Sequence, residues 1–371
     1  MKILYYYPEL STPMMQWQRV HFFDELARYG IEFEVFNPLL CENIEQAQEE
    51  VIKISKNKKF DLFMTCLCNE KHIYKSTIED IKRRGIPTLS FRPDNLAIPL
   101  NDKKMSPVFD LIWLTSKDTQ YLYDKWGAKT VFLPYAANPF VYKYEVEPSI
   151  RRVCFIGNPH GSRTTIINNL TKGGVNVDMF HGGNKKASND EAGIKPQWTL
   201  PLSSPSHEII SRLRTKEGRR LLLGALYEKI SETGGLIGNE YLGKYPGLSF
   251  EGMVENYSKY YLSLSFSSYA KTDVLKRNLP VVNLRNFEIP MCGGIQLCRY
   301  SEEMASLFED GKEVVLYHDR EEMIEKAKYY IGSATDREIK EMKNSARMRS
   351  ENEHTWMNRF RVVFDLLGLK C

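Results

Sequence analysis

The run Val-Val-Asn-Leu-Arg-Asn-Phe-Glu-Ile-Pro-Met-Cys-Gly-Gly-Ile-Gln-Leu-Cys-Arg-Tyr at 281–300 concentrates residues able to do chemistry. Its apolar stretch ends at Asn283-Leu284, the spacing predicts a short helix from Arg285 through Glu288, and Gly293-Gly294 close it ahead of a strand. The start of a helix leaves backbone amides unpaired and carries partial positive charge, which suits a diphosphate. Arg285 would add a two-pronged guanidinium contact. Glu288, one turn in, would accept hydrogen bonds from the paired hydroxyls of a ribose. The same three-residue spacing also permits a plain ion pair on one helix face. Both readings stand at this point.

A second loop, Phe155-Ile156-Gly157-Asn158-Pro159-His160-Gly161-Ser162-Arg163, lies between a strand and a helix. Gly157 and Gly161 let backbone approach a ligand, and Ser162 suits a helix cap. The G-x-x-x-G spacing is not a dinucleotide fingerprint. Lys271, in a polar loop, would neutralise a leaving diphosphate, or else is simply solvated. The chain has no Asp-x-Asp, so a metal-independent reaction is expected. Asp94, in Arg92-Pro93-Asp94-Asn95 after a strand, is the first carboxylate to test as a base for an acceptor hydroxyl. The alternative is an Asx-turn aspartate after proline. Glu9 and Glu70 are weaker candidates of the same kind. His21 and the aromatic stretch Tyr257, Tyr260, Tyr261 read as packing.

The elements that must hold these residues alternate strand and helix. Strands are expected at 2–6, 33–36, 61–66, 88–91, 111–115 and 130–133, with helices at 18–29, 45–56, 76–84 and 118–126. Residues 134–148 carry prolines and little periodicity and read as a connection. A second series follows: strands at 152–156, 175–180, 248–250, 261–266 and 295–298, and helices at 163–171, 208–233, 302–308, 321–332 and 353–367. Residues 182–205 read as a long loop. The fold class expected is α/β, with two doubly wound Rossmann-like domains facing across a cleft. The first domain would be 1–147 with a terminal helix 353–371 crossing back, and the second 148–352.

At 371 residues the chain is long enough for two cores. Its 51 basic and 47 acidic residues leave a net charge of +4, too little to point to nucleic acid. At most a peripheral membrane contact is expected, since no window is apolar enough to span a bilayer. Seven cysteines, an odd number set in strand-like runs, suggest reduced thiols and a cytoplasmic protein. Cys66-x-Cys68 has no nearby partner pair for zinc.

Residues 285–294, Arg-Asn-Phe-Glu-Ile-Pro-Met-Cys-Gly-Gly, resemble the C-terminal signature of CgeB-like glycosyltransferases, related to GT-B enzymes of family 4. Residues 307–317, His354-Thr355-Trp356 with Arg359, 155–158 with Arg163, 133–139 and 250–253 fit the same pattern. The resemblance covers most of 110–360. It implies that Glu288 holds the nucleotide ribose, that Asn283, Leu284, Arg285, Asn286 and Phe287 face the diphosphate, and that Gly157, His160 and Arg163 lie near phosphate. The donor it implies is a nucleoside-diphosphate sugar, used without a further cofactor. The acceptor would be a glycan, lipid-linked or protein hydroxyl. Pro280 stands where the family's first glutamate would fall. That departure keeps alive a non-catalytic sensor, beside an epimerase on the same scaffold.

Overall fold

The computed structural model describes residues 1–9, 17–143, 147–159, 161–182, 198, 204–230, 235–269 and 271–370. Contacts divide the chain into two compact units. One comprises the described residues of 1–134, 187–219 and 356–371, and the other those of 135–186 and 220–355. The expected division differs in giving 135–147 to the first domain and 187–219 to the second.

The first unit holds β1 (Lys2–Tyr6), β2 (Glu32–Phe36), β3 (Leu62–Thr65), β4 (Thr88–Arg92), β5 (Leu111–Leu114) and β6 (Thr130–Phe132). They form one sheet in the order β2-β1-β3-β4-β5-β6, every neighbouring pair parallel. The inner strands β1, β3, β4 and β5 are buried on both faces and largely apolar, whereas the edge strands β2 and β6 are mostly half-buried. Its helices are α1 (Asp24–Ala27), α2 (Ile44–Asn57), α3 (Lys75–Arg83) and α4 (Gln120–Lys125). A π-helical turn, Arg19–Phe23, leads into α1. Asn43 caps α2 by accepting the Gln46 amide.

In the second unit, β7 (Ile150–Ile156), β8 (Val177–His181), β9 (Leu242–Pro246), β10 (Tyr260–Leu264), β11 (Gln296–Arg299) and β12 (Val315–Tyr317) are ordered β12-β11-β10-β7-β8-β9. All of its pairings are parallel. Its core joins Val153, Val177, Leu262, Leu297 and Val315 from five strands. The helices from here on are α5 (Ser162–Lys172), α6 (Pro205–Leu213), α7 (Lys216–Ile230), α8 (Phe250–Lys259), α9 (Arg285–Met291), α10 (Glu302–Leu307), α11 (Arg320–Lys328), α12 (Asp336–Glu353) and α13 (Trp356–Leu366). Two parallel, doubly wound sheets are the Rossmann-like pair of the GT-B fold.

Two expectations are corrected. The strand expected at 248–250 is the start of α8, because Ser249 caps a helix by accepting the Gly252 amide. The strand nearby is β9, whose Gly243 and Pro246 sit in an edge strand paired only with β8, where proline is tolerated. The single helix expected at 208–233 is two, α6 and α7, broken at Arg214-Thr215. The loop expected at 182–205 lies outside the described residues apart from Gly182, Trp198, Ser204 and Pro205.

Candidate functional site

The second sheet reverses its winding between β7 and β10. From β7 the chain steps outward through β8 and β9, then returns to the other side of β7 for β10, β11 and β12. In open α/β sheets the loops at the carboxyl ends of such a pair part and leave a crevice for ligands. Here those loops are the described parts of 157–161 and 265–284, which hold Gly157, Lys271, Asn283 and Leu284 and lead into α5 and α9, where Arg163, Arg285 and Glu288 lie.

On the β7 side, Gly157 (φ +150°) and Gly161 (φ +60°) take backbone angles that favour glycine. A Cβ on Gly161 would also press on the Glu228 carboxylate, 2.4 Å from its Oε1, which would have to swing aside. Arg163, in the first turn of α5, donates to the Asn158 carbonyl at 3.3 Å and lies over the Phe266 ring at 5.3 Å. From the β10 side, Asp273 faces α5, with Ser162 Oγ donating to its Oδ2 at 3.4 Å. Burial raises the Asp273 pKa, and the hydroxyls of Ser268 and Ser162 with the cations of Arg299 and Arg163 offset part of the rise. Burial also lowers the pKa of Arg163; Asp273 opposes that, and the charge of Arg285 adds to it. The Arg285 charge is thus felt at Arg163, and an anion at the switch point would meet both guanidiniums.

The turn 283–288 departs from expectation in one respect. Its amides are not bare: Arg285 N donates to Asn283 Oδ1 at 3.0 Å, Asn286 N to the Asn283 carbonyl, and Phe287 and Glu288 N to that of Leu284. Asn283 thus caps the turn, and its own side chain is fixed on the Phe266 carbonyl. Asn286 and Phe287, expected to face a diphosphate, are wholly buried. Asn286 Nδ2 donates to Ser265 Oγ at 3.0 Å and Gln296 Oε1 at 2.9 Å, and Phe287 packs on Phe308 and His354. These two residues build the turn. They do not present it. Leu284 is half-buried at its start.

Of the two readings of Arg285 and Glu288, the ion pair is the observed geometry, with Nη1 to Oε2 at 2.8 Å. Tyr142 donates to the other carboxylate oxygen at 2.7 Å. The Glu288 side chain is only 6% exposed, whereas that of Arg285 is 40% exposed. Burial works against the Arg285 charge, but Glu288 and the Tyr257 and Tyr142 hydroxyls outweigh it and raise its pKa. The Arg285 guanidinium lies 5.9 Å from the Tyr257 ring centroid. The accessible partner is therefore the arginine, held in place by a buried carboxylate. Tyr142 is 146 residues from Glu288, and no sequence spacing signals such a contact.

Lys271 is half-exposed and ion-paired with Glu228 of α7. His160 lies outside the described residues. Asp94 belongs to the first unit, exposed after β4, with φ +56°, the non-glycine residue held left-handed among those described. It borders a cavity of about 320 Å³ with His72, Asn69 and Asn101. Arg92, at 2.8 and 3.0 Å from Asp102, and Asn95, clamped to Ser116 and Thr119, brace that loop from within. The thiols of Cys66 and Cys68 are free, and burial raises both pKa values.

Residues 208–365 match the family model described as glycosyl transferase-like. No curated protein matches the chain. Solved structures similar to it include Anabaena Alr3699/HepE in complex with UDP-glucose, at 12% identity over 100% of both chains with a TM-score of 0.57. Sucrose-phosphate synthase from Thermosynechococcus elongatus is 10% identical over 99% of both chains, with a TM-score of 0.55. A glycosyltransferase from Rickettsia africae is 10% identical over 99% of this chain and 97% of its own, with a TM-score of 0.57. At these identities the likeness is one of fold, and the fold is GT-B.

Proposed function

We propose that this protein is a CgeB-like glycosyltransferase that moves a sugar from a nucleoside-diphosphate donor to a hydroxyl acceptor. The observation that carries this reading is the placing of two arginines, Arg163 in the first turn of α5 and the part-exposed Arg285 at the start of α9, directly after the loops of the β7/β10 switch point. A diphosphate is the anion such a site suits, and the glycosyl transferase-like match at 208–365 and the GT-B fold support the same chemistry. The HepE structure named above is a complex with UDP-glucose, which supports a uridine nucleotide as the first donor to test.

In this reading the bond from the sugar's anomeric carbon to the diphosphate oxygen breaks as the acceptor oxygen bonds to that carbon. Negative charge grows on the leaving diphosphate. Arg163 and Arg285 stabilise it, joined by Lys271 if it leaves Glu228. Glu288, buried behind it, holds Arg285 at its post. Asp94 is the carboxylate to test as the base that takes the acceptor proton. The acceptor class, glycan, lipid-linked or protein, and metal independence belong to the same proposal.

Calorimetric titration with a panel of sugar nucleotides tests it. Wild type should bind at least one, and Arg163→Ala with Arg285→Ala should lose most of that affinity while melting normally. An unchanged affinity in the double variant would refute the site. Pro280, bridged to Ser268 where the family's first glutamate is expected, favours a second reading as a non-catalytic binder. Donor consumption with an acceptor mixture separates the two, and an isomerised donor without acceptor would identify an epimerase.

A further inference from the structure

Helix α7 has two faces of opposite character. Glu217, Gly218, Leu221 and Gly224 are buried at spacings of three and four along one side. That side packs closely: a Cβ on Gly224 would lie 2.7 Å from the Lys271 carbonyl. Both acids of the helix are spent there, Glu217 accepting from Tyr121 Oη at 3.1 Å and Glu228 pairing with Lys271. The opposite side repeats at the same spacing with Lys216, Arg219 and Arg220 in its first turns, then Leu223, Leu226, Tyr227 and Ile230 in its last.

Those four large apolar side chains are between 54% and 75% exposed. Four of the eighteen exposed large apolar residues among those described thus lie on one face of this helix within eight residues, so they are not ordinary surface scatter.

We propose that the outward face of α7 is a docking surface for an anionic lipid bilayer, on which the helix lies parallel to the membrane. Charge complementarity chooses this occupant. With the acids turned inward, the outward charge is of one sign, so a second copy packed face to face would set cation against cation. Anionic headgroups satisfy the arginines and lysine, whose long stems reach the headgroup level while leucine and isoleucine enter the acyl boundary. A tyrosine suits that same interface. Among the described residues no helix is long and apolar enough to cross a membrane, so the contact is one of lying on the surface. This inference is independent of the donor site.

The full chain is to be sedimented with vesicles of phosphatidylcholine alone and of phosphatidylcholine mixed with phosphatidylglycerol, at low and high salt. Binding is expected to the anionic vesicles, weakened by salt and by neutral lipid. Leu226→Ser with Ile230→Ser, and separately Arg219→Gln with Arg220→Gln, should each lower partitioning by about tenfold. Arg219, Leu226 and Ile230 are exposed and Arg220 half-exposed, and unchanged melting of the variants verifies the fold. No binding to anionic vesicles, or equal binding by both variants, overturns the proposal. A dimer that dissociates in Leu226→Ser with Ile230→Ser would assign the face to a second copy and overturn it as well.

Discussion

Arg285 shows how a residue becomes available for a ligand while its neighbours do not. Its carboxylate partner is sealed at 6% exposure and fixed from the far side by Tyr142, so the guanidinium is aimed without being consumed. Removing the negative charge of Glu288 should therefore act through Arg285. Glu288→Gln, which keeps the shape, should weaken nucleotide binding roughly tenfold, the scale of one charge-assisted contact; full affinity by calorimetry would detach Glu288 from the site. A second residue makes a prediction about pH. Lys343 is fully buried on α12, its ammonium set on the Tyr257 and Ser258 carbonyls at the end of α8, near the Cys154 and Cys292 thiols and Glu147. Burial lowers its pKa to about 7. The unfolded chain, with an ordinary lysine near ~10.4, binds the proton more tightly than the fold does. The penalty is complete below about pH 7 and fades as pH rises toward ~10, so stability should climb through that window by a few kcal/mol. Lys343→Met lacks the titration. Denaturant midpoints of the two proteins that run parallel from pH 7 to 10 would exclude it.

Among the elements, α13 is held by an interaction that sequence spacing conceals. Glu25 is wholly buried, and its two oxygens accept the amides of Trp356 and Met357, one at 3.2 Å and the other at 2.6 Å, as a cap donated from across the unit. Trp356 completes the attachment by packing on Phe22 at 5.1 Å and donating to His21 Nδ1. Glu25→Ala should cost about 1–2 kcal/mol and speed amide exchange at the start of α13. Exchange there at the wild-type rate would exclude the cap. Strands with continuous apolar runs, such as β1 and β5, were readable because burial on both faces writes itself into composition. Edge strand β9 was not, since Gly243 and Pro246 satisfy it only because one flank lacks a partner. β12, three residues long, gives too short a period to detect. At the site, glycine spacing and Arg285 were legible, but the hydrogen-bonded turn was not: which amides stay bare depends on how Asn283 and Asn286 fold back, a matter of geometry.

For the whole molecule, the two sheets are each wound on their own core, and the donor residues proposed here lie in only one of them. Nucleotide binding should therefore raise the apparent melting temperature by mass action and slow exchange at 157–163 and 265–288. Protection centred instead on 66–74 and 92–102 would move the donor to the first unit. The division has a further consequence for how the protein is made. The first unit encloses Phe22, Phe91 and Trp113 with Trp356 and Phe360, ring centroids lying 4.8–6.3 Å apart across that cluster. Translation must pass all of 135–355, roughly 10–45 s at ordinary synthesis rates, before those last two rings emerge. Through that interval the earliest-born half carries an uncovered aromatic hollow, a site where a nascent-chain chaperone would find its grip.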